Sequence, residues 1–186
     1  MNILNGVFSR SIDEKGNGYY VIVNHGYTTI NDGVFSSPGG MSSLIENGYY
    51  NYNSNLASTG YVEGQNVQSP KLTINGGLFM NDYTTIKNDD NGETFINNGQ
   101  FYGMIYHVGR TLDIKDGYFN ASDGYENIQI KKLSQNLNCA DCYISGGTFE
   151  TNGSVNITGA GNPTIIITGG KFNKKVPDEY IGKGYT

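Results

Sequence analysis

A short pattern recurs along the whole chain: an aliphatic residue, two further residues, a glycine, one more residue and an aromatic ring. One copy, Ile74-Asn75-Gly76-Gly77-Leu78-Phe79, lies within the stretch from Lys71 to Phe79. Ile74 and Phe79 are five residues apart, so in a straight strand they would point to opposite faces. Because both are large and apolar, we expect a bend at the glycines that returns both to one interior. Glycine suits such a bend because it adopts positive φ without a Cβ clash.

The copies share their register from the aliphatic residue through the glycine to the aromatic ring. Their glycines are Gly6, Gly33, Gly48, Gly77, Gly99, Gly117, Gly147 and Gly170. The mean step of roughly 23 residues is typical of stacked repeat units. We therefore predict an all-β chain folded as a single-stranded parallel β-helix, a solenoid of about seven to eight coils that stack about 4.8 Å apart. An antiparallel sandwich whose hairpin turns share Asn-Gly is the alternative.

One copy departs from the period. The step from Gly33 to Gly48 is 15 residues, which is too short for a coil, so we interpret the copy at Gly48 as a lateral loop or a degenerate coil.

The pattern divides the chain into coils over residues 1–172, with irregular lateral loops within 9–20 and 36–70, and a C-terminal cap over 173–186. Pro177 cannot donate to a strand ladder and favours an ending. Asp178 and Glu179, followed by Tyr180 and Ile181, could begin a one-turn helix laid over the last coil.

Composition narrows the function classes. The formal net charge is −5 and no basic stripe is present, which argues against a nucleic-acid partner. No run approaches the length of a membrane span, and the first residues lack the features of a secretory signal. The chain enters a repeat within a few residues, and we expect this uncapped first coil to dock on another subunit or domain, since exposed strand edges are normally covered.

The closing stretch carries a resemblance to a known family. Ile167-Thr168-Gly169-Gly170-Lys171-Phe172 is followed by Val176-Pro177-Asp178-Glu179-Tyr180-Ile181 and Gly184-Tyr185. These residues and the repeat resemble right-handed parallel β-helix proteins of the pectate-lyase-like superfamily, in particular the Gly-Gly-x-Phe coils of surface proteins from gut bacteria and their phages. The resemblance implies adhesin, virion or glycan-facing roles.

The carboxylates do not form a recognisable catalytic pattern. Glycoside hydrolysis requires two carboxylates at a fixed separation, and the candidates are Asp89, Asp90, Asp113, Asp116, Asp123 and Glu126. The polygalacturonase-like pattern of paired Asp, then Gly-His-Gly, then Arg-x-Lys fails in order and spacing at Asn24-His25-Gly26 and Arg110. We expect turn carboxylates that accept backbone N–H groups, and no catalytic residue.

Cys139-Ala140-Asp141-Cys142 is a lone CxxC. A redox role would need a thioredoxin-like context, and a zinc site would need two further ligands, whereas His25 and His107 are distant in sequence. We expect Cys139 and Cys142 to be free thiols or a disulfide, with no metal and no cofactor.

Tyrosine is abundant, at 15 residues. Aromatic rings beside Asn and Asp can stack on sugars, or they can pair along ladders and form protein contacts. The candidate carbohydrate or partner contacts are Tyr19, Tyr20, Tyr49, Tyr50, Tyr52, Tyr102 and Tyr106.

Together these features predict a non-enzymatic structural or adhesive component of a larger extracellular assembly, with a phage virion, assembled in the host cytoplasm, as the first setting. Its partners would be other protein subunits, or copies of itself, and a cell-surface glycan. The alternative is a carbohydrate-binding module or a bacterial surface adhesin, in which case the chain would be a segment of a longer cell-surface protein. A polysaccharide depolymerase is the third option.

Overall fold

The computed structural model describes residues 1–10, 20–37, 43–49, 69–121, 124–132 and 140–185. Within these ranges the chain forms strands and a single turn of 3-10 helix, so the fold is all-β. The strands pair side by side in the parallel sense and build two sheets of 7 and 11 strands. This pairing excludes the antiparallel sandwich.

The strands of the first sheet alternate along the chain with strands of the second sheet. In spatial order its strands are β1 (Asn2–Ile3), β4 (Tyr27–Ile30), β7 (Lys71–Ile74), β9 (Glu93–Ile96), β11 (Thr111–Ile114), β14 (Asp141–Ile144) and β17 (Ile165–Ile167).

The second sheet has two rows. The first row contains β2 (Val7–Ser9), β5 (Val34–Ser37), β8 (Leu78–Asn88), β10 (Gln100–His107), β12 (Tyr118–Ala121), β15 (Thr148–Thr151) and β18 (Lys171–Phe172). The second row contains β3 (Ile22–Asn24), β6 (Ser43–Asn47), β13 (Ile128–Lys131) and β16 (Ile157–Ala160), and the later halves of β8 and β10 join it. One pass through the first sheet and both rows of the second is called a tier below.

The glycine bend joins the two sheets as the sequence predicts. Ile74 ends β7, Phe79 lies in β8, and both are fully buried. Gly77 between them has a backbone φ of 114°, which residues with a Cβ atom rarely adopt. The predicted bend with both apolar residues inside is therefore confirmed.

Stacked phenylalanines form the centre of the interior. Adjacent rings lie 4.6–4.9 Å apart between centroids and are tilted by no more than 8°. The members are Phe8, Phe35, Phe79, Phe101, Phe119, Phe149 and Phe172. Because each ring comes from a different tier, the stack joins tiers that are far apart in sequence.

The copy of the pattern at Gly48 does not form a bend between the sheets. Ile45 lies in β6, where it pairs with Ile22 on one side and Ile86 on the other. It therefore belongs to the second row of the second sheet. After Gly48, Tyr49 forms an antiparallel bridge with Asp90. Neither interpretation made from the sequence, a lateral loop or a degenerate coil, describes Ile45, which is an interior strand residue.

A ladder of amides lies inside the second row. Asn24 donates to Asn47 at 2.7 Å, Asn47 donates to Asn88 at 2.9 Å, and Asn88 lies 2.9 Å from Nδ1 of His107. These buried groups satisfy one another from tier to tier, as buried polar groups must.

The two ends of the stack differ. At the C-terminal end, Asp178–Tyr180 forms the 3-10 helix, and Gly182 donates its N–H to the carbonyl of Ile167 at 2.8 Å. Val176, Tyr180 and Ile181 pack on the core there. The one-turn helix predicted at Asp178 is present.

At the N-terminal end, β1 and β2 each pair with one strand only, among the described residues. Leu4 and Val7 are 70% and 78% exposed, and Phe8 is half-buried. No helix in the described part of the chain is long and apolar enough to cross a membrane.

Candidate functional site on the outer face of the second sheet

Side chains that alternate with the buried phenylalanines point outward from the first row of the second sheet. Register places Ser36, Met80, Tyr102 and Asn120 side by side on β5, β8, β10 and β12. The neighbouring outward row runs through Leu78, Gln100 and Tyr118. The outer face of these strands therefore combines aromatic, amide, hydroxyl and thioether groups.

A groove of about 640 Å³ lies on this face. Its lining residues are Ser36, Ser37, Leu78, Met80, Asn81, Asp82, Gln100, Tyr102 and Asn120. Tyr102 is exposed, and its ring meets the ring of Tyr118 edge-on at 5.9 Å. An exposed ring beside amide and carboxylate groups can stack on an apolar ligand face while the polar groups hydrogen-bond to its rim.

Hydrogen bonds hold Asn120, which lines the groove, and its neighbour Tyr118 in place. The Tyr118 hydroxyl donates to Oε2 of Glu150 at 2.5 Å, and the Asn120 amide donates to that hydroxyl at 3.1 Å. The bond to Glu150 is the main cause that raises the pKa of Tyr118 above its usual value. The phenol therefore stays neutral and keeps its orientation at ordinary pH.

A second cluster lies on the other row of the same sheet. Glu46 of β6 pairs in register with Lys87 of β8, which pairs in register with Tyr106 of β10. Lys87 Nζ lies 2.5 Å from Oδ2 of Asp89 and 4.0 Å from Oε1 of Glu46. Glu46 and Asp89 are only 4% and 5% exposed. A mixed-charge group this deeply buried is unusual for an outward-facing row.

Burial raises the pKa of Glu46 to about 7. The positive charge of Lys87 opposes this shift, whereas the negative charge of Asp89 and its hydrogen bond with Glu46 add to it. Burial is the main cause that raises the pKa of Tyr106, and the electrostatic effects of Asp89 and Tyr83 add to it. Near neutral pH Glu46 is therefore partly protonated, and Tyr106 keeps its proton.

The tyrosines singled out from the sequence are dispersed. Tyr102 lies in the groove, and Tyr106 lies beside the charged cluster, with Lys131 Nζ 5.6 Å from its ring. Tyr49 is buried and its ring lies 5.1 Å from that of His25, so it presents no free face to a ligand. Tyr20 is half-buried. Tyr19, Tyr50 and Tyr52 lie outside the described residues.

The carboxylates considered for hydrolysis occupy turns and strand faces. Asp89 Oδ1 accepts the N–H of Asp90 at 2.9 Å, Asp90 Oδ1 accepts that of Asn91 at 3.0 Å, and Asp116 Oδ1 accepts that of Gly117 at 2.8 Å. These are the turn contacts expected from the sequence.

The other carboxylates considered for hydrolysis lie elsewhere. Asp113 lies in β11 on the first sheet, whereas Glu126 accepts hydrogen bonds from Gln129 and Thr158. Asp123 lies outside the described residues.

The Cys142 thiol is free and fully buried in β14, and burial raises its pKa well above the usual range. Cys139 lies outside the described residues. Among the residues that the structure describes, no three His, Cys, Asp or Glu side chains group closely enough to hold a metal ion. His107 reaches the CxxC segment in space, but its Nδ1 faces Asn88 and its Nε2 lies 3.0 Å from the carbonyl of Asp141.

Sequence reasoning missed Glu46 and Lys87 as members of one cluster. The copy of the repeat at Gly48 assigned Glu46 to a bend, which hid its place opposite Lys87 on a strand. A signal was present: Ile22-Val23-Asn24, Ile45-Glu46-Asn47 and Ile86-Lys87-Asn88 share the pattern Ile-x-Asn. Aligning these three segments would have placed Glu46 beside Lys87.

Comparison of the chain with protein-family models, with curated proteins and with solved structures finds no match in any of the three.

Proposed function

We propose that the two sheets are the walls of a single-stranded parallel β-helix of seven coils, and that the chain is a non-enzymatic structural or adhesive component of a larger assembly. Seven successive strands of the first sheet and seven stacked phenylalanines support this geometry. A ladder that continues through every tier makes a stiff body that resists proteases, as exposure outside a cell requires. The resemblance of the Gly-Gly-x-Phe tiers suggests a phage virion as the setting.

The observation that carries the proposal is the difference between the two ends. Ile181 and its neighbours cover the last tier, while Leu4 and Val7 of the first tier expose apolar side chains. Parallel strand edges with exposed apolar residues are sites where another chain can add. The exposed edge formed by β1 and β2 is therefore the surface that we propose as the contact with the assembly.

The test is the solution mass of the 186-residue chain, measured by light scattering, for the parent protein and for Val7→Lys. We expect the parent to exceed the 20.3 kDa of one chain, and Val7→Lys to return it to that mass, because a charge on an edge strand opposes strand addition. The matched control is Ile166→Lys, which changes an exposed residue of β17 far from the first tier. A parent mass of one chain would contradict the structural proposal.

Carbohydrate binding is the second candidate function, and the groove at Tyr102 favours it. The exposed ring provides a stacking face, and Gln100 and Asn120 beside it provide the amide groups that a neutral oligosaccharide requires. Isothermal titration against cell-surface polysaccharides would test it. Saturable heats that Tyr102→Ala abolishes and Tyr143→Ala leaves unchanged would support binding. Heats that survive Tyr102→Ala would contradict a site in this groove.

A further inference from the structure

Three groups with complementary reactivity meet on the second row of the second sheet. An amine, Lys87, stands opposite one carboxyl group, Glu46, on the neighbouring strand. A second carboxyl group, Asp89, lies two residues after Lys87 and therefore on the same face. Lys87 Nζ lies 4.0 Å from Glu46 Oε1 and 2.5 Å from Asp89 Oδ2.

The side chains of the cluster have little exposure to solvent. The Lys87 side chain is 15% exposed, and both carboxyl groups are more deeply buried than that. The groove at Tyr102 and the grooves near Phe172 and Tyr180 do not include these residues in their linings. Groups in such an environment can react with one another more readily than with a molecule from solution.

We propose that Lys87 and Glu46 form an intramolecular isopeptide bond, with Asp89 as the proton acceptor. Asp89 takes a proton from the Lys87 ammonium, and the neutral amine attacks the Glu46 carboxyl carbon. A C–N bond forms, the proton that Asp89 holds goes to the departing hydroxyl as the C–O bond breaks, and Asp89 then takes the second proton from the nitrogen. The Lys87 ammonium and the protonated Glu46 carboxyl group thus become one amide, one water and a proton that stays on Asp89, so no external reagent is needed.

The surroundings favour each role. A protonated carboxyl group is the better acceptor for an amine, and burial keeps the pKa of Glu46 near 7. The contact between Asp89 and the ammonium is short enough for proton transfer. Lys87 Nζ lies 4.0 Å from Oε1 of Glu46, and the proposed reaction requires rotation about the last bonds of the Lys87 side chain to reach an attack distance of about 3–3.5 Å from the carboxyl carbon. The half-buried Tyr106 stands beside Lys87 in register and helps to exclude water.

The bond would join two neighbouring tiers. Glu46 lies in β6 and Lys87 in β8, and residues 47–86 lie between them in sequence. A covalent bond between adjacent strands would prevent these tiers from separating, as a disulfide does, without a redox requirement.

The test is the intact mass of the purified chain, followed by peptide mapping. Formation of the amide lowers the mass by about 18 Da, the mass of one water, and mapping should find Glu46 linked to Lys87. Lys87→Arg keeps the positive charge but lacks the nucleophilic amine, so it should show the full sequence mass. Asp89→Asn should leave most of the chain unlinked, because it lacks the proton acceptor.

Lys131→Arg is the matched control, since Lys131 lies on the same face near Tyr106 and outside the cluster. It should keep the loss of one water. Cyclisation at Asp32-Gly33 or Asp116-Gly117 would give the same mass change, but hydroxylamine cleaves that product and leaves an isopeptide bond intact. A parent chain at full mass overturns the proposal. So does a loss of water that persists in Lys87→Arg, or a link that joins Lys87 to Asp89.

Discussion

His107 occupies the place that asparagine holds in the earlier tiers, directly after Asn88 in the buried ladder. Asn88 donates from its amide nitrogen to Nδ1, so the imidazole carries its proton on Nε2 and donates it to the carbonyl of Asp141. Burial lowers the pKa of His107 to about 4, an effect that the hydrogen bond to Asp141 partly opposes. The fold therefore requires a neutral histidine.

His107→Asn should make the protein less sensitive to acid. The unfolded chain binds a proton at His107 below about pH 6.5 and the folded chain only below about pH 4, so the parent loses stability as pH falls through this window. The loss amounts to about 3 kcal/mol. Urea unfolding at several pH values should show this slope in the parent and its absence in His107→Asn. Titrating groups common to both chains cancel in the difference.

His25→Asn is the control for His107→Asn. His25 is exposed and its pKa is lowered only by partial burial, so its replacement should leave most of the acid slope in place. Equal slopes in the parent and in His107→Asn would show that His107 does not titrate as its burial implies.

At the residue scale, the sequence predicts the interior apolar residues but not the role of His107. Isoleucine and phenylalanine repeat at a fixed distance from a glycine, and burial of apolar surface follows from that pattern. His107 replaces an asparagine in a row that becomes visible only when Ile105-Tyr106-His107 is aligned with Ile86-Lys87-Asn88. Its partner, Asn88, comes from the preceding tier, and no local pattern indicates that contact.

The bend at Gly77 connects two elements that belong to different sheets. A Cβ built on Gly77 would lie 3.0 Å from the carbonyl oxygen of Gly33 and 3.3 Å from the ring of Phe79. The positive φ and the close approach of the preceding tier both disfavour any other residue here.

Gly77→Ala should therefore destabilise the protein by about 1–3 kcal/mol. Gly26→Ala is the matched control, because Gly26 has no positive φ and a Cβ there would meet no atom within 4 Å. Its effect should stay within about 0.5 kcal/mol. Chemical denaturation of the two variants measures the difference, and equal stabilities would show that the bend tolerates a side chain.

At the element scale, the first sheet and the first row of the second could be predicted, because each of these strands lies directly before or directly after a glycine of the repeat. The second row could not. Its strands follow connections of different lengths, and β8 and β10 extend into it without a break. The pairing of β8 with β10 shifts register near Gly103, where β8 contains more residues than β10, and this shift has no signature as strong as the glycine bend.

Over the whole molecule, stability depends on contacts between neighbouring tiers, because each tier contacts mainly the tier before and the tier after it. The last tier has only one neighbouring tier. Its other side is covered by Ile181, which bridges Ile167, and by Tyr180 and Val176.

Ile181→Ala should loosen the C-terminal end and leave the middle unchanged. Amide hydrogen exchange should become faster in β17 and β18, while β7, β9 and β11 keep their protection, because opening spreads from the uncovered end. Lys183→Ala, at an exposed position beside it, should change neither region. Uniformly faster exchange along the chain would indicate that the tiers unfold as a single unit.

The matching register of the tiers along the first sheet and the first row of the second also has a consequence for how such a chain can change over generations. Residues at matching positions of neighbouring tiers, such as Ile74 and Ile96 or Phe79 and Phe101, pair directly with each other. Loss of the coding segment for one whole tier would bring together surfaces that already match, and duplication of such a segment would insert a surface that fits on both sides. The gene can therefore vary the reach of the protein in whole steps by unequal recombination, without inventing a new core at each step.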